Sequence, residues 1–327
     1  MTDETETTRS SSGAEKRPPN WERDLLERLA FAALTEQRRA RRWSIFFRLF
    51  FIALFLLVLV LSQSDNWGGK ALAARHTALV DLDGEIGANT LASADNVISG
   101  LRAAFESTST VGVIVRANSP GGSPVQAAYI NDEIRRLRAQ YPKIPLYAVI
   151  GDMCASGCYY ALAGADKIYA NKASVVGSIG VLMNGFGFVD TMKKLGVERR
   201  LMTAGDHKGF LDPFSPVKPA ESKYAQELLD RIHQQFIDVV RQGRGKSLKE
   251  TKDMFSGLFW TGDEAVKLGL VDSLGDTGYV AREVIGAEDI VDFTYRENVF
   301  DRFARRLGTA MGETLGAEVL GRSPVLK

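Results

Sequence analysis

Two turns in this 327-residue chain carry residue types suited to acyl chemistry. The first is Asn118-Ser119-Pro120-Gly121-Gly122-Ser123. Adjacent glycines let the backbone turn sharply and leave amide N–H groups unshielded, which suits them to hold a developing oxyanion. Taken alone, Pro-Gly-Gly is also an ordinary tight loop between strand and helix. No Gly-Lys-Ser/Thr follows, so it is not a phosphate-cradling loop. The second is Gly151-Asp152-Met153-Cys154-Ala155-Ser156-Gly157-Cys158-Tyr159-Tyr160-Ala161. Where a strand gives way to a helix, Ser156 would stand at an exposed elbow near the positive end of the helix dipole, a place that favours a nucleophile. By itself such a serine is more often a helix N-cap. Cys158 reads as a small packed hydrophobe, with a disulfide to Cys154 as the open alternative outside the cytoplasm.

A serine nucleophile needs a base. His207 is the obvious member of a Ser-His-Asp arrangement, because His76 abuts an apolar run and His233 falls among polar positions of a helix-like segment. Its neighbour Lys208 sits in the stretch Ala204 to Pro216 with Phe210, Leu211 and Phe214. An amine serves as base only where apolar surroundings keep it neutral, and those three side chains offer such surroundings. Spacing alone leaves His207 and Lys208 both open.

The segments around these turns alternate in kind. Thr77–Leu82, Val111–Val115 and Pro145–Ile150 are strand-like, whereas Ala94–Phe105 and Val125–Ala139 carry helical periodicity. Such alternation predicts βαβ crossovers and a mainly parallel sheet with helices on its faces, and in such sheets ligands gather beyond the carboxyl ends of the strands. Pro219–Arg241 predicts a long amphipathic helix with Tyr224, Leu228, Ile232, Phe236 and Val240 four apart, either a core seam or a subunit contact.

Ahead of this region the chain changes character. Residues 1–20 are polar and aperiodic, and Trp21–Ala40 suggests a short amphipathic helix. Leu49–Leu61 is then unbroken apolar sequence, extended backwards by Ile45, Phe46 and Phe47, with Trp43 and Trp67 at its flanks. That length and those indoles predict a membrane span over residues 44–62. A cleaved signal peptide with Ala71-Leu72-Ala73 as its site is the alternative, disfavoured by the long segment before the run. Arg38, Arg39, Arg41 and Arg42 precede the run, so the positive-inside bias keeps the N-terminus cytoplasmic and everything after about residue 63 outside.

Composition excludes several other classes. Forty-one basic against forty acidic residues leave a net charge of +1, which gives no reason to expect a nucleic-acid partner. Two cysteines and three histidines supply neither a disulfide scaffold nor a zinc site, and nothing in the chain asks for a metal or cofactor.

With these residues in view, the stretch from about Thr77 to Gly275 resembles the signal peptide peptidase A family in its short, single-repeat, membrane-anchored bacterial form. The resemblance rests on an ordered set: Asn118-Ser119-Pro120-Gly121-Gly122, Ala155-Ser156-Gly157 before Tyr159-Tyr160, Gly177-Ser178-Ile179-Gly180-Val181, the Gly205–Pro216 loop, and Trp260-Thr261-Gly262 with Leu268-Gly269-Leu270-Val271-Asp272. It implies an α/β fold of the Clp-protease/crotonase type with repeated ββα units, preceded by one N-terminal transmembrane helix. It also implies a Ser-Lys dyad of Ser156 and Lys208, leaving His207 as a flanking residue, and an oxyanion hole from the amides of Gly121 or Gly122 with Gly157. The family pattern usually has glycine where Cys158 stands.

The implied organisation is a cytoplasmic tail over 1–43, a span over 44–62, a peptidase domain over 75–290 and a C-terminal extension over 291–327. The implied partners are hydrophobic peptide substrates, the lipid bilayer and further copies of the chain in a homo-oligomer that shares the dyad between subunits. The implied place is the bacterial inner membrane with the catalytic domain outside the cytoplasm. Two other classes share part of the pattern: a crotonase-type acyl-CoA hydratase or isomerase, and a non-catalytic membrane scaffold assembling through residues 219–241.

Overall fold

The computed structural model describes residues 31, 36–39, 41–57 and 75–296. The chain falls into two units that divide between Trp67 and Gly68. In the first, residues 41–57 form helix α1, which exposes Leu49, Phe50, Phe51, Ile52, Leu54, Phe55, Leu56 and Leu57 in near succession and therefore around its whole circumference. No helix among the described residues is long and apolar enough to cross a membrane. The last part of the expected span, 58–62, lies outside the described residues, as do Trp67, the 71–73 triplet, most of the 21–40 segment, the polar residues 1–20 and nearly all of the C-terminal extension.

The second unit is a mixed α/β domain. In chain order it comprises β1 (His76–Asp83), α2 (Ala94–Glu106), β2 (Thr110–Ser119), α3 (Pro124–Gln140), β3 (Leu146–Ala155), α4 (Gly157–Leu162), β4 (Lys167–Ala170), β5 (Val175–Gly177), α5 (Val189–Lys194), α6 (Pro219–Arg244), β6 (Phe259–Thr261), α7 (Gly262–Leu268), β7 (Ser273–Leu274) and β8 (Ile290–Asp292). The sheet runs β6-β5-β3-β2-β1-β8, with β4 also on β3 and β7 on β4. Every pairing is parallel except β5 with β6. Because β8 pairs with β1, the sheet continues past residue 290. Between β1 and α2 the second strand of a ββα unit is reduced to a single parallel bridge, Ile86 with Gly122.

Parallel sheets bury both faces, which is why the central strands read as near-continuous apolar runs. Val80, Leu82, Val113, Val115, Leu146 and Ala148 pack under α2, α3 and α4 with Leu101, Phe105, Ile130 and Ile134. The alternate residues Leu79, Ile114 and Val149 pack with Val280 and Ala281 on the other face. Helices α2 and α3 start where short polar side chains cap them. Ser93 Oγ accepts from Asn96 N–H (3.4 Å) and Ser123 Oγ from Gln126 N–H (3.4 Å), with Pro124 at the first position of α3.

One irregularity shapes the site. The sequence suggests that β3 ends at Ile150, yet the strand continues to Ala155 through a bulge. Ala117 pairs with Ile150 while Ser119 pairs with Cys154, so Gly151, Asp152 and Met153 stand opposite the single residue Asn118. A bulge bends a strand and increases its twist. Here it changes β3's outer neighbour from β4 (Tyr147–Ile150) to β5 (Met153–Ala155). Ser174 Oγ donates to Gly151 O (2.6 Å) and Met153 N–H donates to Asn118 Oδ1 (3.3 Å), so polar groups freed by the bulge are satisfied.

Candidate active site

Ser156 stands between β3 and α4 with φ 51° and ψ −123°, a left-handed conformation rare for a residue with a Cβ. Such a conformation costs about 1–3 kcal/mol and persists only where its surroundings fix it. Its N–H donates to Gly177 O (2.8 Å) and its carbonyl accepts from Tyr160 N–H (3.0 Å). It occupies the N-cap position of α4, but its side chain makes no capping hydrogen bond, so the hydroxyl remains available. The helix behind it has only six residues, too short to stand without tertiary support. That support comes from Tyr159, fully buried with its hydroxyl donating to Leu270 O (2.7 Å), and from the buried Asn131 of α3, whose amide donates to the carbonyls of Tyr160 (3.0 Å) and Ala161 (3.2 Å).

The glycine turn lies directly against this elbow. A Cβ on Gly121 would come within 2.6 Å of Ala155 O and Gly157 N, and one on Gly122 within 2.1 Å of Ile86 O, so only glycine fits at either position. The two glycines then take different parts. Gly121 N–H donates to Ser119 Oγ (3.1 Å), which removes that amide from the expected oxyanion pair. In the Ile86 bridge, Ile86 N–H donates to Gly121 O (2.7 Å) and Ser123 N–H to Ile86 O (2.8 Å), so the amide of Gly122 points away from Ile86. Gly122 N lies close to Gly157, 3.2 Å from where a Cβ on that residue would stand. Gly122 and Gly157 thus bring two backbone donors beside Ser156.

A cleft of about 900 Å³ opens over the serine and both glycines. Pro120, Val125, Tyr129, Leu182, Ile232 and Phe236 give it apolar walls. Among the described residues, neither a lysine nor a histidine lines it. His76 is buried at the start of β1 with Nε2 3.2 Å from Thr110 Oγ1, and His233 Nε2 lies 3.2 Å from Ile179 O. His207 and Lys208 are exposed in a run of turns between α5 and α6. Within one chain, then, the serine and the amides expected to hold an oxyanion are together, and the expected base does not line the cleft.

The lysine loop nevertheless has its own scaffold. Phe188 stacks on Phe214 at 5.4 Å, Phe210 meets Tyr224 edge-on at 5.9 Å, and Arg199 pairs with Asp212 (3.4 Å). Glu221, buried in the first turn of α6, was not singled out by sequence, since an acidic residue there reads as a dipole partner. Its carboxylate accepts from Leu211 N–H (3.0 Å), where the backbone is left-handed at φ 49°, and from Lys218 Nζ (3.0 Å). The Leu211 amide, followed by the Lys218 ammonium, holds its pKa below the usual carboxylate value. A depressed folded-state pKa means that the contact is present above the ordinary carboxylate range and is lost only as pH falls through the lower, folded value. Glu221→Gln should therefore loosen the loop already at neutral pH. Hydrogen exchange at the Leu211 amide should rise about tenfold or more, and parental exchange there would refute the anchoring role.

Cys154 and Cys158 are joined by a disulfide. The expectation of a lone packed Cys158 is thereby corrected, because residues i and i+4 across the strand-to-helix turn are brought to a Cα separation of 5.2 Å, within bridging range. The amphipathic seam is also only partly core: Phe236 and Val240 are buried, whereas Tyr224 is exposed.

Known proteins place this arrangement. Peptidase family S49 matches residues 138–289, a span that takes in both Ser156 and Lys208. A protein of Brucella melitensis described as the Na(+)/H(+) antiporter NhaA is 44% identical over 186 residues, which cover 57% of this chain and 25% of that protein. A putative signal peptide peptidase SppA of Enterococcus faecium is 33% identical over 180 residues, 55% of this chain and 52% of its own length. A putative protease of Synechocystis is 31% identical over 209 residues, 64% of this chain and 73% of the relative. The chain thus spans a quarter to half of the first two relatives and most of the third. Similarity over nearly three quarters of the Synechocystis protease, together with a family match that takes in the serine elbow and the lysine loop, makes this chain a member of peptidase family S49, the serine peptidase family of the SppA type.

Proposed function

We propose that the chain is a membrane-anchored serine endopeptidase of the Clp-protease/crotonase fold that cleaves remnant signal peptides and other short or unfolded hydrophobic segments with a Ser156–Lys208 dyad. The observation that carries this reading is Ser156 itself. A hydroxyl held in a left-handed elbow, unused for capping, beside the amides of Gly122 and Gly157, is built for attack on a carbonyl. In the proposed sequence, neutral Lys208 takes the Ser156 proton and Oγ attacks the scissile carbonyl. The two amides stabilise the oxyanion, Lys208 returns the proton to the leaving amine, and water then releases the acyl group with Lys208 again as base. The apolar cleft suits apolar side chains, and an extended peptide can be taken up there through backbone hydrogen bonds.

The lysine comes from a second copy. Lys208 stands on a segment that is apolar yet uncovered: Leu182 is 83% exposed and Met202 94%, and α5 buries no residue. Apolar surface of that extent marks an interface. A neighbouring chain seated there would cover it and carry its own Lys208 loop to the cleft. Two further observations support the membrane topology. Helix α1 exposes apolar side chains on every side, a surface at home in hydrocarbon, and the Cys154–Cys158 disulfide suits an oxidising compartment outside the cytoplasm. The N-terminus is then cytoplasmic and the peptidase domain periplasmic.

The test is covalent. A fluorophosphonate should modify Ser156 of the full-length protein in bacterial inner-membrane vesicles. A hydratase of the crotonase type would ignore the reagent, and so would a scaffold. Labelling that persists in Ser156→Ala would disprove the assignment. Protease added outside spheroplasts should reach the domain after residue 75 and spare the N-terminal tail.

A further inference from the structure

Cys154 and Cys158 stand two residues before and two residues after Ser156, and their disulfide closes a five-residue ring around it. Both cysteines are fully buried. The two ends of the ring are held very differently. Cys154 lies in the sheet between Ser119 of β2 and Val176 of β5. Cys158 lies in the first turn of α4, a helix too short to hold its own position. Between them the chain must turn sharply from strand to helix through Ser156 at φ 51°.

From these placements the geometry points to the Cys154–Cys158 disulfide as a positioning device for the nucleophile: it ties the helix side of the elbow to the sheet side and so sets where the Ser156 hydroxyl stands relative to the Gly122 and Gly157 amides. This inference rests on Ser156 being the nucleophile. The remaining restraints on Ser156 are the bond from its N–H to Gly177 O (2.8 Å) and that from Tyr160 N–H to its carbonyl (3.0 Å). Those fix the backbone on either side of Ser156, while the tilt of the first α4 turn is set by the Tyr159 and Asn131 hydrogen bonds together with the disulfide, the one covalent tie between that turn and β3 besides the chain itself. Opening the bridge takes two electrons and two protons, supplied for example by a dithiol that leaves as its own cyclic disulfide, and yields two thiols. Burial of both sulfurs shields the bridge from that exchange in the folded protein.

The experiment compares the parent with Cys154→Ala/Cys158→Ala, each as the full chain in inner-membrane vesicles, well below the unfolding midpoint. The fluorophosphonate endpoint counts Ser156 sites, and the rate of approach to it reports their reactivity. Positioning predicts that kcat per labelled site falls about 10–100-fold with KM within about twofold, and that the labelling rate falls by a similar factor. A bridge that only stabilises the fold would lower the unfolding midpoint and leave kcat per site and labelling rate at parental values, which overturns the proposal. Cys154→Ser, which keeps Cys158 in the core, repeats the comparison if the double variant does not assemble. Failure of both variants to fold assigns the bridge to stability and likewise overturns it. No labelling of the parent at Ser156 would instead refute the peptidase reading.

Discussion

Ser156→Ala should abolish peptide cleavage, lowering kcat by at least about 10³-fold, while the protein folds and assembles as before. Both halves of that expectation follow from the elbow. The hydroxyl makes no capping hydrogen bond, so α4 does not depend on it. The backbone that holds position 156 in its left-handed conformation is fixed by Gly177, Tyr160 and the pressed glycine turn rather than by the side chain. Alanine is no better suited to φ 51° than serine, so the change in stability should be small. The measurement is turnover of an apolar peptide with a thermal melt of the same preparation. Parental turnover would remove Ser156 from the chemistry, and a collapsed melt would show that the hydroxyl is structural.

Lys208→Ala should be as inactive as Ser156→Ala, and the two inactive proteins should regain activity when they assemble together. Among the described residues of a single chain no lysine or histidine lines the cleft, and Lys208 stands on an exposed loop, so on the proposed reading each site takes its serine from one copy and its lysine from another. In mixed assemblies some neighbouring pairs present the intact Ser156 of one variant to the intact Lys208 of the other. Co-expression at equal levels should restore about a quarter of parental turnover if each site draws on two chains at random. A dyad within one chain would give no recovery, because no chain in the mixture then has both residues. If Lys208→Ala alone retained activity, the base would have to be another group. His207→Ala serves as the control and should remain near parental.

Local sequence already carries most of the elements and the groups suited to acyl chemistry. Short apolar, β-rich runs and helical periodicity placed β1, α2, β2 and α3 within a few residues, since strands buried on both faces and helices with one apolar stripe leave strong local signals. The glycine turn and the serine elbow were legible for the same reason: tight turns at the carboxyl ends of parallel strands demand particular residue types nearby in the chain. What depends on contacts between distant residues was not legible. The bulge that carries β3 on to Ala155 exists because β3 changes partners from β4 to β5, a choice made across the sheet. The division of labour between Gly121 and Gly122 is set by Ser119 and by the bridge to Ile86, 36 residues upstream of Gly122. Glu221 became an anchor of the lysine loop only once α6 was seen to begin beside Leu211. Sequence alone leaves Cys158 either packed or paired, and the strand-to-helix turn that brings it to Cys154 decides for the pair. Local pattern names the groups that do chemistry, and tertiary packing decides which of them meet, because hydrogen-bond partners and close contacts are chosen in space and not along the chain.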